Sequence, residues 1–129
     1  MSSDQIFLYV IMALGVQLWV VRAIRRRGIP RRTASEVHEL LSGKHGTVLL
    51  DVRTEAERRG SAIKGSHHIP LHRIRSRSNE LEKFRNREIV CYCQTGNRSL
   101  TAAAALRRLG FTASSLEGGI VEWNSVVVR

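Results

Sequence analysis

An uncharged apolar run near the N-terminus most constrains how this chain can fold. The run, Ile6–Val21, contains no charged residue and, apart from Gln17, no strongly polar one. As an α-helix it would rise about 24 Å, and extension to Gln5–Ile24 gives about 30 Å, at roughly 1.5 Å per residue. This length matches the hydrocarbon core of a bilayer. Tyr9 and Trp19 lie near the two ends, where amphipathic aromatics prefer the interface. The run therefore predicts a transmembrane anchor over residues 1–25.

Two alternatives for this run stay open, a cleaved signal peptide and a buried core helix. A signal peptide carries a positive residue before its apolar run and small residues at a cleavage site. This chain begins Met1–Asp4 without a positive side chain, and its arginines follow the run. Positive residues after an apolar segment favour the cytoplasmic side. The sequence thus predicts a single-pass plasma- or inner-membrane protein, with its N-terminus outside and the rest of the chain cytoplasmic.

A cluster of arginines follows the apolar run and accounts for much of the formal net charge of +10. Its six members are Arg22, Arg25, Arg26, Arg27, Arg31 and Arg32. A strongly basic chain raises the question of nucleic-acid binding. Because the cluster adjoins an apolar run, it instead indicates contact with anionic lipid headgroups. Residues 26–32, which include Gly28 and Pro30, are predicted to form an exposed basic linker, and no nucleic-acid partner is expected.

The remaining residues, 33–129, are predicted to form one α/β domain. Thr33–Glu36 matches a helix capping box. An alanine-rich helix is predicted over 99–109 and a short surface helix over 78–84. Buried strands are predicted at 47–50, 89–92 and 112–116. Strands that alternate with helices indicate a central, mostly parallel sheet flanked by helices, and the sites of such sheets lie beyond the carboxyl ends of strands.

The chain has two cysteines, Cys91 and Cys93, separated by one residue. On a strand the two side chains would point to the same face, and a disulfide between them would be strained. Reduced thiols in a cytosol-like compartment are therefore expected. Cys91 lies within a predicted strand and is expected to be a core residue.

Cys93 lies between a predicted strand and a predicted helix, in a loop suited to a reactive thiol. Backbone N–H groups of such a loop point inward, and the following helix adds its positive end. That field lowers the pKa of a thiol and makes it a nucleophile. Gly96 permits a positive φ, Arg98 offers a guanidinium to an anion, and Ser99 is placed to cap the helix. The alternative is an inert core cysteine.

Several motifs follow one another along the chain in an order typical of one family. They are Asp51–Arg53 with Glu57, Gly60–Ser66 leading to Ile69–Pro70, Cys93–Ser99, Leu109–Phe111, and Gly118–Gly119 with Trp123. Together, from Thr33 to about Trp123, they resemble the rhodanese domains.

The resemblance implies a single rhodanese-like domain that transfers sulfane sulfur. By position, Cys93 is the catalytic nucleophile, which takes sulfur from thiosulfate or a persulfide donor and passes it to a thiol, cyanide or a protein acceptor. No metal or organic cofactor is implied. The backbone amides of the active-site loop would bind the donor, with Arg98 on its anionic end. That loop comprises Gln94, Thr95, Gly96, Asn97, Arg98 and Ser99. Asp51, Arg53 and Glu57 are expected to make structural ion pairs and hydrogen bonds near the site.

Three further expectations concern histidines, the pocket and rival functions. His67, His68 and His72 are expected to be surface residues in a loop rather than metal ligands. Because a single domain is expected, with no partner domain to shape the pocket, a shallow, open pocket is expected. The first rival is a phosphatase or arsenate reductase, although such enzymes place the arginine six positions after the cysteine, whereas Arg98 is five after Cys93. The second is a non-catalytic binding or scaffold module at the membrane.

Overall fold

The computed structural model describes residues 1–44 and 46–128. Arg129, the last residue of the predicted domain, lies outside the described residues. The strands are β1 (Arg31–Arg32), β2 (Val48–Asp51), β3 (His67–His68), β4 (Ile89–Tyr92) and β5 (Ala113–Leu116). The α-helices are α1 (Ser3–Arg27), α2 (Ala34–Ser42), α3 (Glu55–Gly60), α4 (Ile74–Arg77), α5 (Asn97–Arg108) and α6 (Gly119–Val126). Two 3₁₀ segments flank α4, at Leu71–Arg73 and Ser78–Phe84.

The five strands form one parallel sheet in the order β1-β5-β4-β2-β3. Every residue of β2, β4 and β5 is buried, because helices cover both faces of the sheet. On one face Leu50 packs with residues that include Ile74 and Leu106. On the other, Leu49 packs with residues that include Val37 and Trp123. This architecture confirms the predicted α/β fold. The carboxyl end of the central strand β4 lies at the C-terminal end of the parallel sheet.

Helix α1 is long and apolar enough to cross a membrane. Its candidate span, Ser3–Ile24, has a mean hydropathy of 1.9 over its most apolar window. Large apolar side chains along it are exposed, with Leu8 at 60% and Trp19 at 71%. This exposure disagrees with the alternative of a buried core helix. The signal-peptide alternative shares the length and composition of α1 and stays open.

The predicted basic linker, residues 26–32, differs from what the structure shows. Helix α1 continues through Arg27, and Arg31 and Arg32 form strand β1, which pairs with Ser115 and Leu116 of β5. The Arg32 guanidinium also donates to both carboxylate oxygens of Glu88, at 2.9 and 3.2 Å. Two adjacent arginines carry none of the apolar or β-branched pattern that marks a strand. Their position is set by the free edge of β5, so the sequence does not reveal it.

Three other local predictions differ from the structure. His67 and His68 form the edge strand β3 rather than a loop, paired with Leu50 and Asp51 of β2. The segment 78–84 is a 3₁₀ helix that buries Leu81 instead of lying on the surface. Helix α5 begins at Asn97, two residues earlier than predicted.

Candidate active site

Cys93 follows β4 directly and lies at the carboxyl end of that strand. The residue is 1% exposed. Its Sγ accepts a hydrogen bond from the backbone N–H of Gly96 at 3.0 Å, and it lies 3.5 Å from Ser99 Oγ. The backbone between Cys93 and the start of α5 therefore curls around the sulfur.

Ser99 is buried in the first turn of α5 and links the loop to the sheet. Its hydroxyl donates to the carbonyl oxygen of Gly96 at 3.1 Å and lies 2.7 Å from the hydroxyl of Ser115 on β5. The prediction that Ser99 caps the helix is wrong, because Gly96, with a φ of 109°, occupies the N-cap position. The sequence analysis missed Ser115. A serine within a predicted buried strand was the available signal, since a buried hydroxyl requires a partner.

Hydrogen bonds lower the pKa of the Cys93 thiol. Burial alone raises this pKa, but the Ser99 hydroxyl and the backbone N–H groups of Ser99, Gly96 and Thr95 outweigh it. Cys91 behaves in the opposite way, because burial raises the pKa of its thiol far above the ordinary value. Thiolate is the nucleophilic form of cysteine, so the surroundings distinguish Cys93 as the reactive thiol and Cys91 as a core residue.

Residues that follow the Gly118–Gly119 turn hold the cysteine loop by backbone hydrogen bonds. The N–H of Ile120 donates to the carbonyl oxygen of Cys93 at 2.9 Å, and the N–H of Val121 donates to that of Gln94 at 3.3 Å. Gly119 has a φ of +60°, and a Cβ built there would lie 2.5 Å from the Cys93 carbonyl oxygen. Only glycine allows this close backbone approach. The double glycine is one of the motifs of the family resemblance, but its contact with the cysteine loop cannot be seen in the sequence.

Arg98 is paired with Glu57 across the mouth of the loop. Its two terminal nitrogens donate to the two Glu57 carboxylate oxygens, at 2.6 and 2.7 Å. The hydrogen bonds from Arg98 lower the pKa of Glu57 to about 2. Burial opposes this shift, and hydrogen bonds from Thr54 add to it. From the sequence we expect Arg98 to bind the anionic end of a donor and Glu57 to make structural ion pairs or hydrogen bonds. The structure joins the two side chains in one ion pair.

A second ion pair, fully buried, lies at the end of β2. Arg53 is 1% exposed and Asp51 is fully buried, and two guanidinium nitrogens of Arg53 donate to the carboxylate at 3.0 and 2.9 Å. Burial raises the pKa of Asp51, but the hydrogen bonds from Arg53 and Tyr92 leave it below the ordinary value. Arg53 also donates to Gln94 Oε1 at 3.3 Å, so this pair connects β2 to the cysteine loop.

A shallow depression of about 170 Å³ lies beside the loop. It is lined by Arg31, Thr95, Gly96, Asn97, Leu100, Ser115, Glu117 and Gly118. Gln94, Thr95 and Asn97 are exposed, whereas Arg98 is half-buried. Within the described ranges, 1–44 and 46–128, no group of three or more His, Cys, Asp or Glu side chains could hold a metal ion. The site therefore combines a buried sulfur with an open approach.

Residues 33–126 match the family model of the rhodanese-like domain. The chain belongs to the rhodanese-like family. Its matched segment contains the parallel sheet and the cysteine loop, and α1 precedes it.

The proteins to which this chain is similar include a sulfurtransferase. The chain is 33% identical over 91 residues to a sulfurtransferase of Allochromatium vinosum, covering 70% of this chain and 83% of the relative. It is 34% identical over 90 residues to the uncharacterised protein YqhL of Bacillus subtilis, covering 69% and 70%. Among solved structures, a rhodanese-related protein of Thermoplasma volcanium superposes with a TM-score of 0.67 at 30% identity, covering 74% of this chain and 91% of that one.

Proposed function

We propose that this protein is a membrane-anchored sulfurtransferase that carries sulfane sulfur as a persulfide on Cys93. One observation carries the proposal. Cys93 Sγ lies at the carboxyl end of the central strand and accepts the Gly96 N–H at 3.0 Å, in a loop that leads into the N-terminus of α5. Such a position favours the thiolate and stabilises negative charge delivered to the sulfur.

In the first half-reaction, the Cys93 thiolate attacks the outer sulfur of thiosulfate or of a persulfide donor. A new bond forms between Cys93 Sγ and that sulfur, and the sulfur–sulfur bond of the donor breaks. Its electron pair leaves with sulfite, or with the donor thiolate. The terminal sulfur of the new persulfide is anionic, and the backbone N–H groups of Thr95, Gly96 and Ser99, which already act on the Cys93 thiol, would stabilise that charge.

In the second half-reaction, an acceptor takes the terminal sulfur. A thiolate or cyanide attacks that sulfur, the bond to Cys93 Sγ breaks, and the electron pair returns to the Cys93 thiolate. The acceptor leaves as a persulfide or as thiocyanate. Because the depression beside the loop is shallow and Gln94, Thr95 and Asn97 are exposed, a protein or a small thiol can reach the surface of the loop that would hold the persulfide.

Residues 1–25 would anchor the protein, with the rhodanese-like domain over 33–129. The apolar side chains of α1 are exposed, and a membrane would remove them from water. Arginines at the end of the helix favour a cytoplasmic domain and contact with anionic lipid. The anchor would thus concentrate the sulfur carrier at the membrane surface.

Sulfur transfer is tested by steady-state turnover of the full chain in detergent micelles. We expect thiocyanate to form from thiosulfate and cyanide in the unaltered protein and in Cys91→Ser, and to be absent in Cys93→Ser. Cys91→Ser is the matched control, because it removes the neighbouring thiol and leaves the loop intact. A folded protein whose thiol reacts with iodoacetamide but which forms no thiocyanate from several sulfane donors would contradict the proposal and favour the non-catalytic binding module.

Membrane orientation is tested by protease protection in spheroplasts of a bacterial host. We expect the rhodanese-like domain to stay intact when protease is added outside and to be digested after lysis. Digestion without lysis would show that the domain faces outward.

A further inference from the structure

The guanidinium of Arg98, in the cysteine loop, is already paired with the Glu57 carboxylate. Both terminal nitrogens of Arg98 donate to the Glu57 carboxylate, at 2.6 and 2.7 Å. The carboxylate is itself fixed, because Glu57 Oε1 also accepts from the N–H and the hydroxyl of Thr54, each at 3.1 Å. Bidentate pairs of this kind hold both side chains in one geometry. Arg98 is therefore not presented to a donor as a free positive charge.

Two further guanidiniums near the loop also pair with a carboxylate. Arg53 pairs with the buried Asp51, and Arg58 donates to the same carboxylate at 3.2 Å. After the Glu57 carboxylate, the Cys93 thiolate is among the charges that raise the pKa of Arg98, and the two residues belong to one loop, so a change in the net charge at Arg98 reaches the reacting sulfur. At Arg98 a strongly anionic donor would therefore meet a charge already paired with a carboxylate rather than a free positive charge.

We propose that Glu57 determines the charge preference of the donor site by holding Arg98. Dianionic thiosulfate is disfavoured relative to donors that carry the same sulfane sulfur with a single negative charge. This inference rests on the proposed sulfurtransferase function and deepens it, because it points to donors of low charge, such as thiosulfonates and persulfides of low net charge.

A purely structural role for Glu57 makes a different prediction. If Glu57 only stabilised the start of α3 through Thr54, its loss would weaken turnover with every donor alike. If it acts through Arg98, its loss changes the ratio between donors that differ in charge. Donor selectivity therefore separates the two roles.

The experiment compares Glu57→Gln with the unaltered full chain in detergent micelles, using thiosulfate and methanethiosulfonate. The second donor transfers the same terminal sulfur to the Cys93 thiolate and releases methanesulfinate, and it carries one charge fewer. Glutamine keeps an oxygen for the Thr54 N–H and removes the negative charge. We expect the KM for thiosulfate to fall about two- to fivefold, the range of a single partly exposed charge. The KM for methanethiosulfonate should fall less, and kcat should change little.

Glu82→Gln is the matched control. Glu82 makes a similar bidentate pair with Arg85, at 2.9 and 2.7 Å, and Arg85 also bonds the carbonyl of Leu109 at the far end of α5. Neutralising Glu82 removes one charge and one ion pair without touching the loop. We expect the selectivity between the two donors to be unchanged.

A double-mutant cycle shows whether Glu57 acts through Arg98. Arg98→Gln should raise the KM for thiosulfate, because it leaves the Glu57 carboxylate uncompensated. The variant with both substitutions should return towards the unaltered selectivity. An equal fall in KM for both donors in Glu57→Gln would overturn the inference. So would a doubly substituted variant whose donor selectivity stays with that of Arg98→Gln. An unaltered protein inactive with both donors would overturn the proposed function itself, so the two failures are distinguishable.

Discussion

The close contact between Gly119 and the cysteine loop makes a substitution there unusually costly. In Gly119→Ala, the left-handed backbone with φ of +60° would cost an alanine roughly 1–2 kcal/mol. The new Cβ would also collide with the carbonyl oxygens of Cys93 and Gln94. Relief of that collision would break the hydrogen bonds from Ile120 and Val121, each worth about 0.5–1.5 kcal/mol. We therefore expect a loss of about 2–5 kcal/mol, a large share of the ~5–15 kcal/mol typical of a domain.

The assay is urea unfolding of the full chain in detergent micelles, followed by far-UV circular dichroism. Gly65→Ala is the matched control, because Gly65 also has a positive φ, of +82°, but nothing lies within 4 Å of the added Cβ. It isolates the cost of the backbone conformation, about 1–2 kcal/mol. Gly119→Ala should also slow alkylation of Cys93, whereas Gly65→Ala should not. Equal destabilisation by the two substitutions would refute the reasoning that Gly119 supports the loop.

Three further predictions concern the hydroxyl of Ser99 and the carboxylates of Asp51 and Glu57. Ser99→Ala removes a hydroxyl that lowers the pKa of Cys93, so the pKa should rise and alkylation by iodoacetamide at neutral pH should slow about fivefold, as for one hydrogen bond of ~1 kcal/mol. An unchanged rate would contradict this. Asp51→Asn leaves the buried Arg53 without a counter-charge and should lower the free energy of unfolding by about 3–5 kcal/mol. Neutralising the exposed Glu82 in Glu82→Gln should lower it far less, and similar losses in the two variants would contradict the prediction. The pKa of Glu57 falls from 4.5 to about 2 on folding, so its contribution is fully present above pH 4.5 and is lost as the pH falls to about 2. The difference in the free energy of unfolding between the unaltered chain and Glu57→Gln should therefore shrink as the pH falls through that window. This difference should stay under about 1 kcal/mol at every pH, because the pair is about one-third exposed. A difference that does not change with pH would contradict the prediction.

The sequence predicts the features of this fold that depend on local pattern. The apolar run Ile89–Tyr92 and the alanine-rich segment after it have the periodicity of a buried strand and a helix, and β4 and α5 formed there. The position of Cys93 between them follows from the chain order alone. These elements could be predicted because their own side chains determine them.

Features that depend on distant partners escaped prediction. Arg31 and Arg32 form a strand only because the edge of β5 accepts them. Arg98 meets Glu57 and Ser99 meets Ser115, and no spacing in the sequence relates these pairs. Such contacts are made by the tertiary fold. Most residues at the site could therefore be predicted from the sequence, but the pairs they form could not.

The central claim, that Cys93 carries sulfane sulfur, is tested most directly by the intact mass of the protein after incubation with thiosulfate. We expect the unaltered chain and Cys91→Ser to gain the mass of one sulfur atom, to lose it on addition of cyanide, and Cys93→Ser to gain nothing. No gain in the unaltered chain, or a gain that survives in Cys93→Ser and disappears in Cys91→Ser, would contradict the claim.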